Sequence, residues 1–322
     1  MKKQYRIFIG LLISSIGLIL LATSCQTKIV DNTSQFLSRY VNENKTLIVA
    51  HRGYSEIAPE NTISAFKAAS NVGAKTCEFD VQISKDGVLV VIHDNTVDRT
   101  TNGSGKVEQL RYEDLSSLDA GSWKDLKYKG EKIPTLLETL TFLEKNNMIA
   151  VLEIKADNIT DEVLKLVYET GMEERIIIIS FSKSTISDVM KKDPKIPALL
   201  LLKKNSCMTG STNDKVKGIE REAKRIGTTY IGPYSFQLEK MDSTLSAIAK
   251  YDMKKSRDPG VLPLALDKET IEKLHENGYF INTWTVDNEE NIRDLIINKV
   301  DMLTTNSLEK ALSIKNEIYK ND

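Results

Sequence analysis

The stretch "TLIVAHRGYSEIAPENT" (residues 46–62) places a histidine and an arginine directly after an apolar run. The run 46–50 predicts a buried strand, and "PENTISAFKAASNVG" (59–73) has the apolar spacing of a helix that ends at Gly73. A strand followed closely by a helix is the repeating unit of α/β folds. His51 and Arg52 stand at the junction, where a polar pair beside a core needs a chemical reason.

Seven further apolar runs repeat this unit, with helical patterns between them. They lie at residues 74–81, 148–155, 175–180, 197–202, 228–232, 279–286 and 301–305. Near-continuous apolar runs are typical of strands buried on both faces of a parallel sheet. Eight such units predict an α/β fold of the closed (βα)8 TIM-barrel type, with a doubly wound open sheet as the alternative.

A ninth run, residues 88–94, follows the second predicted strand after only the short connection "QISKDG". Parallel strands need a longer crossover, so this run must return antiparallel through a hairpin at Asp86–Gly87. Residues 95–135 contain several glycines and little strand pattern. We therefore expect a small insertion above the barrel mouth, after the second barrel strand and its hairpin.

The first 25 residues have the pattern of a targeting segment. A basic start is followed by the apolar stretch 7–21 and by "LATSC", which ends at Cys25. This pattern resembles a bacterial lipoprotein signal, which implies lipidation of Cys25 and an exported protein of the cell envelope, anchored to a membrane and facing the periplasm or the cell surface. An uncleaved anchor or an ordinary signal peptide is the alternative. Residues 26–45 are then a polar tether, and residues 46–322 form the barrel.

Composition argues against two other features. The formal net charge is −1 with both signs spread along the chain, so no basic field favours a nucleic-acid partner. Cys77 and Cys207 could pair in an exported protein, but they have no motif spacing, and two free thiols are expected.

Polar side chains interrupt the apolar runs near the carboxyl ends of the predicted strands, where barrel enzymes place their active sites. They are His51 and Arg52, Glu78 and Asp80, Glu153 and Lys155, and Trp284, with His93 delivered by the hairpin. One buried polar residue would be an ordinary satisfied core group. Several that converge on one mouth predict a functional site.

Spacing indicates what the acidic groups do. Glu78 and Asp80 are two residues apart, so both side chains point to one face of their strand, and Glu153 lies on the next barrel strand. Three such carboxylates predict a site for one divalent cation, Ca²⁺ or Mg²⁺. Ion pairs with Arg52 and Lys155 are the alternative, but two cations leave one negative charge unbalanced.

Two histidines in this mouth can divide the work of acid and base near neutral pH. Hydrolysis of a phosphodiester needs this division, because one group activates the attacking oxygen and another protonates the leaving alcohol. Arg52 offers a planar fork and Lys155 a point charge for the phosphoryl oxygens.

The ordered set "HRG" (51–53), "PENT" (59–62), "EFDV" (78–81), "HD" (93–94), "DRTTNGSG" (98–105), "IPTLLETL" (133–140), "EIK" (153–155) and "NTWTV" (282–286) resembles the glycerophosphodiester phosphodiesterase family. The resemblance implies His51 and His93 as catalytic residues, Glu78, Asp80 and Glu153 as ligands of Ca²⁺ or Mg²⁺, and Arg52 and Lys155 as phosphate contacts. It further implies hydrolysis of small-molecule glycerophosphodiesters to an alcohol and sn-glycerol 3-phosphate, with a supporting role for Glu60. Trp284 is expected to be either core or an apolar wall for glycerol.

The last predicted strand departs from the family pattern, because "TTNS" (304–307) stands where a "TD-x-P" ending is usual. No catalytic group is expected there. Two other functions remain open: action of the same barrel on phospholipid or a wall polymer, favoured by any exposed apolar loop within 233–265, and non-catalytic binding of a phosphorylated ligand. Elsewhere, His275 is expected to be structural, "GSGK" (103–106) a turn and "FSKS" (181–184) a helix cap.

Overall fold

Nine strands form one sheet in the computed structural model, which describes residues 46–202, 211–233 and 266–320. The strands are β1 Leu47–Ala50, β2 Thr76–Ile83, β3 Leu89–Val91, β4 Ile149–Ile154, β5 Ile176–Ser180, β6 Ala198–Leu202, β7 Tyr230–Pro233, β8 Phe280–Thr283 and β9 Met302–Thr305. Their neighbour order is β1-β9-β8-β7-β6-β5-β4-β2-β3, and β1 also pairs with β2. Because that last pairing joins β1 to the other end of the parallel series, with only the antiparallel β3 left outside, eight parallel strands close into a (βα)8 barrel, as predicted.

The ninth strand is the predicted hairpin partner. β3 pairs antiparallel with β2, with Val81 opposite Val91 and Ile83 opposite Leu89. Gly87 has a φ of +85°, which the turn requires and which a residue with a Cβ adopts only with strain. The hairpin therefore turns the chain back along β2. The Ile92 amide donates to the Asp80 carbonyl at 3.0 Å, so His93 arrives at the level of Asp80.

Helices cover the outside of the barrel, except the second, which lies in the segment between β3 and the third helix. Within the described residues they are α1 Ile63–Asn71, α2 Tyr112–Ser117, α3 Leu136–Lys145, α4 Thr160–Glu169, α5 Lys183–Lys192, α6 Thr212–Lys224, α7 Lys268–Glu276, α8 Glu289–Ile297 and α9 Leu308–Lys320. Thr62 is the N-cap of α1 and accepts from the amide of Ala65. The predicted cap in "FSKS" is Ser182, which accepts from the amide of Thr185 at the start of α5.

Side-chain alternation along the strands separates two apolar layers. One layer lies between strands and helices, and the other fills the barrel interior. The interior set is Leu47, Val49, Ile149, Val151, Ile177, Ile179, Leu199, Leu201 and Met302. Side chains two residues apart on a strand share a face. His51, two residues after Val49, and Glu153, two residues after Val151, therefore lie at the barrel mouth above this interior layer.

The segment between β3 and α3 forms the expected insertion and has a small core of its own. That core consists of Val90, Ile92, Val97, Val107, Leu115, Ala120 and Ile133. Lys124 Nζ donates to the Ser55 carbonyl at 2.7 Å and Tyr128 Oη donates to the Ile57 carbonyl at 2.9 Å. The insertion therefore packs on the loop between β1 and α1, at the mouth.

Several sequence expectations concern residues outside the described ranges. These are the signal and tether (residues 1–45), Cys25, Cys207 and the long loop within 234–265. Cys77 lies in β2 as a buried free thiol. Among the described residues, no helix has the length and apolar content needed to cross a bilayer.

His275 lies on α7, away from the mouth, where its Nε2 is 2.9 Å from Asp301 Oδ2. This hydrogen bond raises the pKa of His275 above its usual value, against the opposing effect of burial. A raised folded-state pKa stabilises the fold below the unfolded pKa of 6.5, and this stabilisation is lost as the pH rises through the folded value.

We therefore predict that His275→Gln lowers the melting temperature more at about pH 5.5 than at about pH 8.5. Thermal unfolding of both chains at the two pH values measures the difference. An equal loss at both values would show that the ion pair with Asp301 does not contribute through the charge of His275.

Candidate active site

The turn after β1 brings the first site residues together. Arg52 and Gly53 have φ angles of +56° and +78°, so the chain reverses at once after His51. A Cβ on Gly53 would lie 2.7 Å from Ala65 of α1, so only glycine fits this close approach. The reversal aims the Arg52 amide at Glu78 Oε2, at 2.9 Å, which fixes that carboxylate.

Three carboxylates from two adjacent strands meet in the mouth. Asp80 of β2 is in register with Glu153 of β4, and Glu78 precedes Asp80 by two residues. The side chains are buried, and one carboxylate oxygen from each lies within 4.8 Å of the others. Asn61 also holds Asp80, since its Nδ2 donates to Asp80 Oδ2 at 2.8 Å.

The ion pairs considered as the alternative are present, and they are centred on Asp80. Arg52 Nε and Lys155 Nζ each lie 3.4 Å from an Asp80 oxygen, and Lys155 Nζ is 3.3 Å from Glu153 Oε1. Although burial opposes ionisation, Lys155 and Arg52 hold the pKa of Asp80 below its usual value. Burial and then the Asp80 charge raise the pKa of Glu78 well above its usual range and that of Glu153 to about 7.

The charge balance of the three carboxylates and the two side-chain cations indicates whether this cluster suits a metal cation. Two side-chain cations do not neutralise three buried carboxylates, and the excess charge falls on Glu78 and Glu153. Asp80 Oδ1 makes no hydrogen bond to any part of the chain that the structure describes. Hard, anionic oxygens at this separation fit Ca²⁺ or Mg²⁺, so Glu78, Asp80 and Glu153 could hold one such ion.

The His51 ring is hydrogen-bonded to Asn306, which directly follows β9. Its Nδ1 lies 2.7 Å from Asn306 Oδ1, and its Nε2 lies 3.9 Å from Glu78 Oε2. Burial, with the charge of Arg52 as the next cause, lowers the pKa of His51 to about 4. The ring is therefore neutral at pH 7, with Nε2 directed toward the carboxylates.

His93 has a different partner. Its Nδ1 lies 2.6 Å from Asp94 Oδ1, and the other Asp94 oxygen accepts from Arg99 Nε at 2.6 Å. The hydrogen bond from Arg99 keeps the pKa of Asp94 well below its usual range. Asp94 is therefore ionised, and its contact with Nδ1 fixes the position of the His93 ring.

Glu60 connects the two halves of the site. It accepts from Arg52 Nη1 at 2.8 Å and from both Arg99 terminal nitrogens at 2.7 and 2.8 Å. Burial opposes its ionisation, but these two arginines hold the pKa of Glu60 below its usual value. The sequence suggested only a supporting role for Glu60, and the geometry gives it a specific one, the orientation of Arg52.

Trp284 immediately follows β8 and forms an apolar wall of the mouth. Its indole packs edge-on against Phe181, with ring centroids 5.3 Å apart, and its Nε1 donates to the Gly232 carbonyl at 2.8 Å. The wall borders a cavity of about 170 Å³. This cavity is lined by His51, Arg52, Glu78, His93, Glu153, Lys155, Ile179, Phe181, Leu201, Asn282, Trp284, Thr285 and Thr304.

The residues that the sequence predicted at the barrel mouth lie there in the structure, but several of their hydrogen-bond partners were not predicted. Asp94 could have been found, because it directly follows His93 and a histidine often takes a neighbouring carboxylate. Arg99 and Asn306 gave no comparable signal. No catalytic group was expected after the last strand, and the residue that departs from the family pattern there, Asn306, contacts His51.

Barrel enzymes perform their chemistry at this end of the barrel. Two histidines beside two side-chain cations suit hydrolysis of a phosphate ester. The fold and the residues at the barrel mouth therefore point to the class of phosphoric diester hydrolases. A sequence profile of the glycerophosphoryl diester phosphodiesterase family matches residues 51–310. The chain belongs to that family, as its motifs predicted.

Relatives and solved structures agree with this assignment. A glycerophosphodiester phosphodiesterase of Caldanaerobacter subterraneus subsp. tengcongensis is 34% identical over 275 residues, which cover 84% of this chain and 98% of the relative. The glycerophosphodiester phosphodiesterase of Agrobacterium tumefaciens str. C58 has a TM-score of 0.61 at 28% identity, covering 83% of this chain and 99% of that one. A phosphodiesterase of Oleispira antarctica, solved with its product sn-glycerol-3-phosphate, has a TM-score of 0.65 at 22% identity and covers 85% and 98% of the two chains. At that identity the last likeness concerns the fold.

Proposed function

We propose that this protein hydrolyses glycerophosphodiesters to an alcohol and sn-glycerol 3-phosphate, with one divalent cation, Ca²⁺ or Mg²⁺, held by Glu78, Asp80 and Glu153. The observation that carries the proposal is that two histidines with different partners border the same cavity as two of these carboxylates, beside the third. An acid, a base and an anion-binding centre are then available to one bound phosphodiester.

The partners of the two rings assign their roles. His51 faces a neutral amide and is uncharged at pH 7, so its Nε2 can accept the proton of the attacking hydroxyl. His93 borders the same cavity with its Nδ1 held by the Asp94 carboxylate, and its ring is assigned the donation of a proton to the leaving oxygen. One proton is removed and one is supplied, so the P–O bond to the alcohol breaks without releasing a free alkoxide.

The two side-chain cations bind the phosphoryl group. Arg52 and Lys155 both border the cavity and flank the carboxylates. A bound divalent cation supplies Lewis-acid stabilisation of charge on the reacting oxygens. With that ion the three carboxylates, Arg52 and Lys155 carry a net charge of about +1, which one phosphodiester anion neutralises.

The proposed location is the bacterial cell envelope. The basic start, the apolar stretch 7–21 and Cys25 support export and a lipid anchor on a membrane. Fractionation of cells that express the full chain or Cys25→Ser tests this proposal. The full chain should sediment with membranes and the variant should be lost from them, whereas equal membrane retention would contradict lipidation as the anchor.

The proposed reaction is tested by measuring release of sn-glycerol 3-phosphate from glycerophosphocholine and glycerophosphoethanolamine. The full chain in detergent is treated with EDTA and then supplied with Ca²⁺ or Mg²⁺. Release that depends on added cation supports the proposal. The absence of release with either cation from folded protein would contradict it and would favour phospholipid or polymer substrates, for which the apolar loop candidates lie outside the described residues.

Trp284 gives a prediction about binding rather than chemistry. Trp284→Ala removes an apolar wall of the cavity and leaves the proposed acid, base and cations in place, so we expect KM to rise about tenfold and kcat to change by less than about threefold. Trp284→Phe keeps an aromatic face against Phe181 and should stay closer to the parent. Steady-state kinetics on glycerophosphocholine measure both constants, and a loss confined to kcat would contradict the role of a substrate wall.

A further inference from the structure

Asn306, which stands where the family usually has aspartate, is bound on its other side by Asp287. Asp287 Oδ1 accepts from the Asn306 amide at 2.7 Å and from Thr305 Oγ1 at 3.0 Å. Asp287 Oδ2 accepts from Asn306 Nδ2 at 2.8 Å. Asp287 follows β8 and Asn306 follows β9, so neighbouring strand ends create the contact.

These contacts fix the orientation of the Asn306 side chain. An ionised carboxylate only accepts hydrogen bonds, so the Asn306 atom that faces Asp287 must be the NH₂ group. The carbonyl oxygen therefore points the other way, toward His51 Nδ1 at 2.7 Å and Ser55 Oγ at 3.0 Å. The usual ambiguity of an amide is removed by its charged neighbour.

The orientation of the amide in turn fixes the proton on His51. A base must begin neutral, and a neutral imidazole carries its one proton on either Nδ1 or Nε2. An oxygen that faces Nδ1 requires the proton there, which leaves the lone pair on Nε2, the nitrogen on the side of Glu78. We infer that Asp287, acting through Asn306, selects the tautomer of His51 that can act as base, and that both are positioning residues; this inference rests on the proposed role of His51.

The same geometry explains how this chain accommodates asparagine at position 306. The relay needs one carboxylate and one amide at positions 287 and 306, because the two side chains face each other at 2.8 Å. Two carboxylates would repel each other. Two amides would place one NH₂ group against another unless Asn306 turned its carbonyl away from His51. An exchanged pair, with asparagine at 287 and aspartate at 306, would again present an acceptor to His51 Nδ1.

Single changes should therefore fail for a predictable reason. In Asp287→Asn, the new amide has one acceptor oxygen for the Asn306 amide and Thr305, and its NH₂ group faces the side chain of Asn306. Asn306 must then turn its carbonyl toward position 287 and its NH₂ toward His51, which forces the proton of His51 onto Nε2. In Asn306→Asp, two carboxylates meet face to face.

The test compares the full chain in detergent with Asp287→Asn, Asn306→Asp and the double variant. We expect each single change to lower kcat by a factor on the order of 10² with KM changed less than about threefold, since a wrong histidine tautomer acts on chemistry rather than binding. The double variant should recover to within about tenfold of the parent. Thermal unfolding verifies that all four chains are folded.

A second readout follows the tautomer directly. ¹⁵N NMR of histidine-labelled chain separates a protonated from an unprotonated ring nitrogen, and the signals missing in His51→Ala assign His51. The parent and the double variant should carry the proton on Nδ1, and Asp287→Asn should carry it on Nε2. Unchanged ring signals in folded Asp287→Asn, or a double variant as slow as the singles, would overturn the inference. Retained activity in His51→Ala would instead overturn the proposed base.

Discussion

His51→Ala is expected to lower kcat for glycerophosphocholine by about 10³-fold, because the loss of a positioned general base typically costs 10² to 10⁴. The ring is uncharged at pH 7, and its only described ion-pair distance is the 3.9 Å from Nε2 to Glu78. Removing it therefore deletes a proton acceptor and little binding charge. KM should change by less than about threefold.

The chain offers a matched control for this change. Among its three histidines, His275 lies outside the mouth and is paired with Asp301. His275→Ala should keep kcat within about twofold and lower only thermal stability. If both variants retained activity, or if His51→Ala lost it only by unfolding, the assignment of His51 as base would be wrong.

The fold could be predicted from the sequence because its signals are local and repeated. Each run such as 175–180 is short, apolar and followed by a helical pattern, and the six-residue connection after residue 81 was too short for a parallel crossover. The carboxylate cluster followed from the two-residue spacing of Glu78 and Asp80, since strand geometry fixes which side chains share a face. These inferences required no knowledge of distant contacts.

The orientation of the catalytic groups could not be predicted in the same way. His51 and Asn306 are separated by 255 positions, and Glu60 and Arg99 by 39. Such pairs depend on which loops meet above the barrel, and no periodicity in either segment encodes that. Asn306 was recognised only as a departure from the family pattern, and its contact with His51 depends on barrel closure between β1 and β9.

The proposed acid and base are the same residue type, but their partners differ in charge. The amide behind His51 adds no charge, whereas the carboxylate behind His93 adds one. Arg99 then keeps Asp94 ionised and, through Glu60, is joined to Arg52, the proposed phosphate contact. The two histidines therefore have different electrostatic environments because Asn306 faces one ring and Asp94 faces the other.

Removing divalent cations is expected to abolish turnover, with a loss of about 10³-fold or more, because Lewis-acid stabilisation at a phosphoryl group contributes several kcal/mol. The full chain should regain activity when Ca²⁺ or Mg²⁺ is added after EDTA. Glu78→Gln should be as inactive as the stripped protein, since it removes one of the three buried carboxylates. The exposed Glu108→Gln serves as the matched control and should behave like the parent.

The melting temperature with and without cation distinguishes a cation site from a set of structural ion pairs. Folding raises the pKa of Glu78, so its charge destabilises the cation-free fold once the pH exceeds the unfolded value near 4.5. Glu78→Gln should therefore raise the melting temperature of the cation-free protein while it abolishes activity. Adding cation at about 100 times its dissociation constant should stabilise the parent by about 2.7 kcal/mol and the variant by much less. If Glu78→Gln instead lowered the melting temperature without cation, and cation stabilised both chains equally, the carboxylates would be partners of Arg52 and Lys155 alone.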